Sequence, residues 1–504
     1  MFFFNQYAAG DVNIAAACLI RCAMANFFRT STTDHLLSLL RGGGELSLRQ
    51  QVVLTALLSV PSMLAQLSHV VMEYIDASMV GSLGADASAS VGIVATSAWM
   101  IWGLCNAAAA GFCVQVAHLV GAQNFSAARS VVRQGLVATV VFSLVVSALA
   151  QGVSGGLPHW LGGGDEICGV ASDYFRIVGL TLPFSQAVML CSGALRSSGN
   201  VVVPSLSNVV LCVFDVIFNF LFIFPSRHVA VCGVEVLVPG LGLGVRGAAL
   251  GSMVSEVAVA AFLLWFVFRR SAVLRLSHER GSFLPRRECL GRAVRISLPM
   301  GVQHVVMTSA QVVSTTIVAP LGKMSIAANS FGITAESICY MPGYGIADAA
   351  QTLVGQSLGA GRHHLMRGFA RVSVIMGMVV MGGMGVVLYA GAPFMMGLLS
   401  PVGEIQSLGA EALRIEAWAE PMFAAAIVCY GVFVGAGDTL KPCIMNLISM
   451  WLVRLTLAWW LAPQHGLAGV WVAMCAELCF RGLIFLIRLK WGKWDGVAAA
   501  APSK

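Results

Sequence analysis

Apolar runs of about 20 residues recur along this chain from near residue 50 to near residue 490, separated by short polar or glycine-rich breaks. Each is long enough to cross about 30 Å of hydrocarbon as a helix, in which every backbone polar group finds its partner internally. Twelve are counted, at roughly 50–80, 87–118, 131–153, 169–194, 201–225, 245–268, 293–319, 325–357, 372–399, 408–434, 442–462 and 467–489. A β-barrel would instead alternate apolar and polar residues over ~10-residue segments. The pattern predicts an all-α polytopic membrane protein.

The runs also repeat. Pro61 and Pro299, Val80 and Val318, and Leu83-Gly84 and Leu321-Gly322 are each 238 positions apart. The same offset pairs Gly121 with Gly359, Arg129 with Arg367, Pro183 with Pro421, Gly199 with Gly437 and Asn208 with Asn446. Downstream it drops to 222, pairing Gly244 with Gly466 and Gly247 with Gly469, because the 226–243 loop of the first half carries extra residues. Six helices is an even number, so both halves share one orientation and are related by a pseudo-two-fold axis along the membrane normal. Such lobes leave a cleft between them that can open at either end, which is transporter architecture rather than enzyme architecture.

Composition agrees with this reading. The chain is 58% hydrophobic and 11% charged, with a mean hydropathy of +0.83, against about 25% charged residues in soluble domains. Lys and Arg are distributed unevenly. Twenty-three fall on the side carrying both termini and the central linker, and only Arg227, Arg246 and Lys323 on the other. Positive residues stay on the cytoplasmic side, so both ends are expected in the cytoplasm, and the net charge of +7 calls for no nucleic acid. The expected division is a cytoplasmic extension 1–48, a first lobe 49–269, a basic linker 270–291, a second lobe 292–490 and a tail 491–504. Residues 1–48 read as a floppy or amphipathic extension, with translation starting at Met24 as the rival reading; MFFFNQY lacks the basic start of a signal peptide. The 14 cysteines show neither a CxxC pair nor a zinc spacing.

The segments YIDASMVGSLGADASASVG, VAHLVGAQNFSAARSVVRQG and GALRSSGNVVVP, with VGQSLGAGRHHLMRG and GVFVGAGDTLKP in the second half, resemble the multidrug and toxic compound extrusion (MATE) family over about residues 50–490. The resemblance implies two six-helix lobes and a monomeric inner-membrane antiporter without cofactors, exporting organic, often cationic, compounds against a proton or sodium gradient. It is closer to the DinF-like branch, whose coupling carboxylates lie in the first lobe, than to the NorM-like branch, whose acidic positions in helices 7 and 10 align here with Met307 and Phe423.

A carboxylate inside a membrane helix costs about 2.5–3.5 kcal/mol on insertion scales, which marks it as functional until it finds a structural partner. Asp76 in helix 1 has no basic residue within a turn, and the second half has Ser314 in its place. Asp215 in helix 5 has Asn219 one turn on. The resemblance matches Asp76 to the family's first aspartate and Ser252 to a hydroxyl in helix 6, with the fifth-helix Asn…Asp pair reversed as Asp215…Asn219 and Met72 where a tyrosine is usual. Asp76, Asp215, Asn219 and Ser252 thus form the candidate ion-coupling set, for H⁺ or for Na⁺ as a hard cation with oxygen ligands. Met72, His69, His304, Met307, Tyr340 and Glu420 are candidates for the substrate cleft, since methionine and aromatic walls suit varied flat cations.

Three other readings compete. A lipid-linked oligosaccharide flippase shares the core but tends to more helices and a cationic cleft. Gly152-Val-Ser154-Gly-Gly156 fits a nucleophile turn, yet no strand leads into it, and an intramembrane serine protease would need a histidine facing Ser154. Gly242-Leu-Gly244-Val-Arg-Gly247 fits a dinucleotide loop but lacks a βαβ unit; its glycines suit close backbone approach.

Overall fold

The structure is a computed structural model and describes residues 30–231, 234–279 and 281–494; the expectations for residues 1–29 and 495–504 lie outside it. Long helices follow the predicted runs: α1 (Leu48–Gly81), α2 (Ala85–Gly121), α3 (Phe125–Val153), α4 (Asp165–Ser197), α5 (Val202–Ile223), α6 (Val245–Arg269), α7 (Arg287–Val318), α8 (Lys323–Gly359) and α9 (His363–Leu399). Next comes α10, bent by 60° between Gly403–Glu416 and Glu420–Gly435. The run 440–491 is two helices, α11 to residue 465 and α12 from 466, separated at Gly466 by φ 60° and ψ −139°. Among the described residues nine helices are long and apolar enough to span a membrane, ten with the bent pair. Dividing 440–491 at Gly466 and including α8, which is more polar, gives twelve.

The backbone keeps the repeat. Left-handed turns occur at Gly84 and Gly322, Gln123 and Gly361, and Gly199 and Gly437, all 238 apart, and at Gly244 and Gly466, 222 apart. Gly244 (φ 58°, ψ −132°) and Gly466 take nearly the same backbone shape, one closed to residues with a Cβ. The extra residues of the first half form a β-hairpin, β1 (Pro225–Val231) and β2 (Val234–Leu241), antiparallel with a register irregularity near Pro225.

Each lobe has its own apolar core. In the first, Phe112, Val132, Leu190, Leu195 and Leu263 join α2, α3, α4 and α6. In the second, Trp471, Leu413 and Leu388 form one cluster and Phe433, Phe485 and Met366 another. Two helices cross over at the linker end of the bundle, here called the basic end. There Leu54 and Leu58 of α1 pack with Leu353, Leu365 and Phe369 of the second lobe. Reciprocally, Ile296 and Met300 of α7 pack on Ala107 and Val114 of the first.

Of the two readings of the extension, residues 30–42 follow the amphipathic one. Thr30–Gly42 is an amphipathic helix whose Leu36, Leu37 and Leu40 are buried in the α1/α8/α9 cluster. Its Arg41 donates to the Ser198 carbonyl at 2.8 Å and to Gln356 Oε1 at 3.1 Å, and the Arg362 guanidinium bonds the Gly44 carbonyl behind it. The linker is also shorter than expected, because α7 begins at Arg287. It is docked onto α3 by Arg129 and Arg133, which bond the Val273 and Leu276 carbonyls.

Candidate functional site

At the basic end the lobes touch backbone to backbone. A Cβ on Gly121 would lie 2.1 Å from the Gln356 carbonyl oxygen, and one on Gly359 would lie 1.9 Å from that of His118. His118 and Gln356 are themselves 238 apart, so these two contacts are images of each other about the pseudo-two-fold axis. Two hydrogen bonds follow the same rule: His118 Nε2 lies 2.8 Å from the Gly435 carbonyl, and Gln356 Nε2 donates over 2.7 Å to that of Ser197. Arg196 also reaches Asp348 at 3.5 Å. Among the described residues, every side-chain hydrogen bond and ion pair between the lobes lies in this basic half. Toward the hairpin end the facing helices leave Val71, Trp99, Trp102 and Ile333 exposed. The side-chain contacts that join the lobes are therefore gathered at the basic end.

The first-lobe set comes together as a site. Three neighbouring helices present it: α1 Asp76, α5 Asp215 and Asn219, and α6 Ser252. Asn219 Nδ2 donates to Asp76 Oδ1 and to Asp215 Oδ2, each at 2.9 Å. The two carboxylates face each other, and Ser252 reaches Asp215. Asp215 and Asn219 are buried while Asp76 is half-buried, so the cluster is accessible from the Asp76 side. Asn219 Oδ1 is buried with no partner, packed against the backbone at Gly251, where a Cβ would sit 2.1 Å from it. Facing carboxylates repel when both are charged, and a bound proton or cation relieves that.

Three residues of this region went unnoticed in the sequence. Glu256 lies one turn beyond Ser252 on α6, within reach of the Ser185 hydroxyl, and its Oε2 is buried without a partner; the i,i+4 spacing from Ser252 was the available signal. Tyr174 of α4 lies close enough to feel both aspartates. It comes from another helix, so nothing local announces it. Glu73, exposed on α1 beside His69 at 3.7 Å, lies close enough to Tyr340 across the cleft to interact with it.

The cleft candidates divide. His69 packs on Trp102 with ring centroids 5.7 Å apart, and His304 sits over Gly103, where a Cβ would lie 2.6 Å from its Nδ1. Tyr340 meets Phe423 edge-on at 5.7 Å, and Met72 is half-buried. Met307 instead packs on Met450 and Leu455. Glu420 does not face the cleft. It is fully buried inside the second lobe beside Glu336 and Glu416, with neither of its oxygens partnered. Here Glu477 holds Arg481 through two 2.7 Å bonds, as the i,i+4 spacing predicts, and Arg454 lies in a π-helical turn against Met474. The second lobe thus buries four acids of its own. Asp173 pairs with Arg176, three residues on, at 3.5 Å, and Arg414 stacks over the Tyr389 ring.

Ser154 is bonded by Arg176 Nε at 3.0 Å and to the Gln151 carbonyl. The nearby His159 faces Asp165, so the nucleophile pattern is a helix end. Gly247 abuts the Phe222 carbonyl, the close approach expected of its motif. No metal-ligand cluster of His, Cys, Asp and Glu occurs among the described residues.

Comparison with known proteins places this geometry. The chain is 23% identical over 444 residues to a protein named "Probable multidrug resistance protein NorM" from Thermotoga maritima, covering 87% of this chain and 92% of that one. It is 26% identical over 458 residues to another of Pseudomonas aeruginosa, covering 86% and 87%. In fold it is similar to a MOP superfamily transporter from Pyrococcus furiosus, with a TM-score of 0.81 at 18% identity over 90% of this chain and 97% of that one. It is equally similar to an outward-facing multidrug resistance MATE transporter, with a TM-score of 0.81 at 19% identity over 91% and 98%. The MatE family model matches residues 61–221 and 299–460, the two halves found by the 238-residue offset, and the chain belongs to this family of multi-pass membrane transporters.

Proposed function

We propose that this chain is a secondary antiporter of a bacterial inner membrane that exports organic cations in exchange for H⁺ or Na⁺. The observation that carries the coupling site is the double hydrogen bond from Asn219 to Asp76 and Asp215. It holds two carboxylates in one pocket, accessible from the Asp76 side, beside a free amide oxygen and the Ser252 hydroxyl. This oxygen set accepts a proton or a hard monovalent cation, and it also favours the DinF-like branch, although the curated relatives named above carry the NorM name. With the basic end cytoplasmic, lobes joined at that end make an outward-open state. An ion entering from outside would neutralise the pair, an organic cation would leave the cleft, and reclosure would release the ion inward. The membrane potential contributes about 2.3 kcal/mol per charge per 100 mV.

Glu73 on the cleft wall suits a cationic substrate, and Arg454 and Arg481 are buried within a lobe rather than lining a cationic cleft as a flippase would need. A second reading puts coupling in the second lobe, where Glu416 and Glu420 are buried and unpartnered. Ethidium accumulation in inverted vesicles, under pH and Na⁺ gradients imposed separately, distinguishes the two. Asp76→Asn and Asp215→Asn should each abolish gradient-driven accumulation while inserting normally, and Glu420→Gln should retain it. Loss in Glu420→Gln alone would transfer the role to the second lobe.

A further inference from the structure

A groove of about 410 Å³ runs between α2, α3 and α7 on the lipid side of the lobe boundary. Its α7 wall is the stripe Leu290, Val294, Leu298 and Val302, spaced i,i+4 and exposed at every position; Phe112 and Phe142 line the opposite side. From Leu290 to Val306 the lining extends about 24 Å along the helix axis at 1.5 Å per residue, longer than one leaflet of a ~30 Å hydrocarbon core. A groove this long, narrow and apolar, running along the bilayer normal, has the shape of an extended acyl chain.

Its mouth at the basic end is cationic. Arg287 lies one turn before Leu290, on the same stripe at i,i+3 and i,i+7. Arg286 precedes it and is tethered to the opposite wall, its backbone N–H donating to Gln134 Oε1 of α3 at 2.8 Å. Both guanidinium groups are exposed, and neither has an ion-pair partner among the described residues, whereas Arg292 has Glu288 at 4.0 Å. The helix α7 is 32 residues long, about 48 Å, so its first turn emerges at headgroup level. Leu284, 76% exposed, and Phe283, stacked on Phe268, add apolar side chains next to the arginines, the composition of a segment seated in the interface.

We propose that this groove is a binding site for an anionic phospholipid, with an acyl chain along α7 and the phosphate held by Arg286 and Arg287. A zwitterionic lipid would fill the groove equally well but gain less at its mouth, because its headgroup carries its own cation. A lipid seated there touches both lobes, since Ser297 of α7 bonds the Ala108 carbonyl of α2 at 3.4 Å at the groove floor. It would therefore reinforce the contacts at the basic end.

The test is native mass spectrometry of the full-length protein in detergent, titrated separately with phosphatidylglycerol and phosphatidylcholine. Wild type should retain phosphatidylglycerol with roughly tenfold preference, given the attraction of anionic lipid for each basic residue near the surface. Arg286→Gln/Arg287→Gln should erase that preference. Ala138→Phe, which fills the groove away from the arginines, should reduce retention of both lipids, with thermal unfolding confirming the fold of each variant. Arg295→Gln, off the stripe, should behave as wild type; an equal loss there would mean a diffuse basic field and overturn the site. Unchanged retention in the double arginine variant and in Ala138→Phe would also overturn it, as would displacement of the lipid by ethidium with loss of transport in Ala138→Phe, which would make the groove a substrate path.

Discussion

His118 stands to the Gly435 carbonyl as Gln356 stands to that of Ser197: both bonds cross the lobe boundary, at 2.8 and 2.7 Å, and both partners are displaced by 238 residues. An isologous contact of this kind forms only where the two-fold axis passes between the lobes. It seals one end of the cleft with two equivalent bonds, one from each lobe. Each is worth about 1 kcal/mol net, small enough for the seal to break and re-form in a transport cycle.

Loosening that seal should be measurable without transport. His118→Ala combined with Gln356→Ala should raise deuterium uptake in segments 118–124 and 356–362 by roughly thirtyfold in rate, two bonds at about 1 kcal/mol each. Uptake in the core of α4 should not change.

Gly121→Ala should have a larger effect, because the added methyl would overlap the Gln356 carbonyl and the shut state could not form without a backbone shift of about 1–3 kcal/mol. Gly359→Ala should match it, as its symmetry mate. Gly92→Ala, with nothing within 4 Å, is the control. Pulsed electron resonance between labels on the two lobes at the basic end should show the distance lengthening in the first two variants and unchanged in the third.

The repeat, the helix runs and the turn glycines were all legible in the sequence, because in hydrocarbon each helix must satisfy its own backbone and chain order alone fixes the spans. Asp76, Asp215 and Asn219 were legible for a related reason: polar groups stand out against apolar runs. Glu420 misled, because a proline-flanked carboxylate reads the same whether it faces a cleft or a lobe interior. The lobes bury their acid clusters at unrelated positions. Shifting Asp215 and Asn219 by 238 gives Val453 and Leu457, and shifting Glu416 and Glu420 back gives Val178 and Leu182. No repeat argument could therefore transfer one site onto the other. Tyr174 depends on which helices become neighbours, and the sequence does not state that.

Arg481 and Glu477 should behave as a structural pair. Arg481→Met leaves Glu477 charged and buried, which should lower stability by about 3–5 kcal/mol, read as a fall in unfolding temperature in detergent. Adding Glu477→Gln should recover most of the loss, since replacing both members of a buried pair is often near neutral.

The linker makes a pH prediction. Bonds from Arg129 and Ser126 hold the partly exposed Glu279 carboxyl below its usual range. A carboxylate with a depressed folded value contributes stability that is present above its unfolded value and lost as pH falls through the folded one. Protease resistance of the linker should therefore persist at pH 5 and fade only under stronger acid. Glu279→Gln should remove this contribution, and with it the acid-dependent step.

The proposed coupling requires Asp76, Asn219 and Asp215 to form one site whose occupancy by an ion disfavours the substrate. Ethidium binding to the purified protein, measured from pH 5.5 to 8 with and without Na⁺, tests that directly. Wild-type affinity should fall about tenfold as one of the two ions is raised, a typical coupling, and Asp215→Asn should bind with one affinity throughout. The same ion dependence in Asp215→Asn and Asp76→Asn as in wild type would contradict coupling at this site.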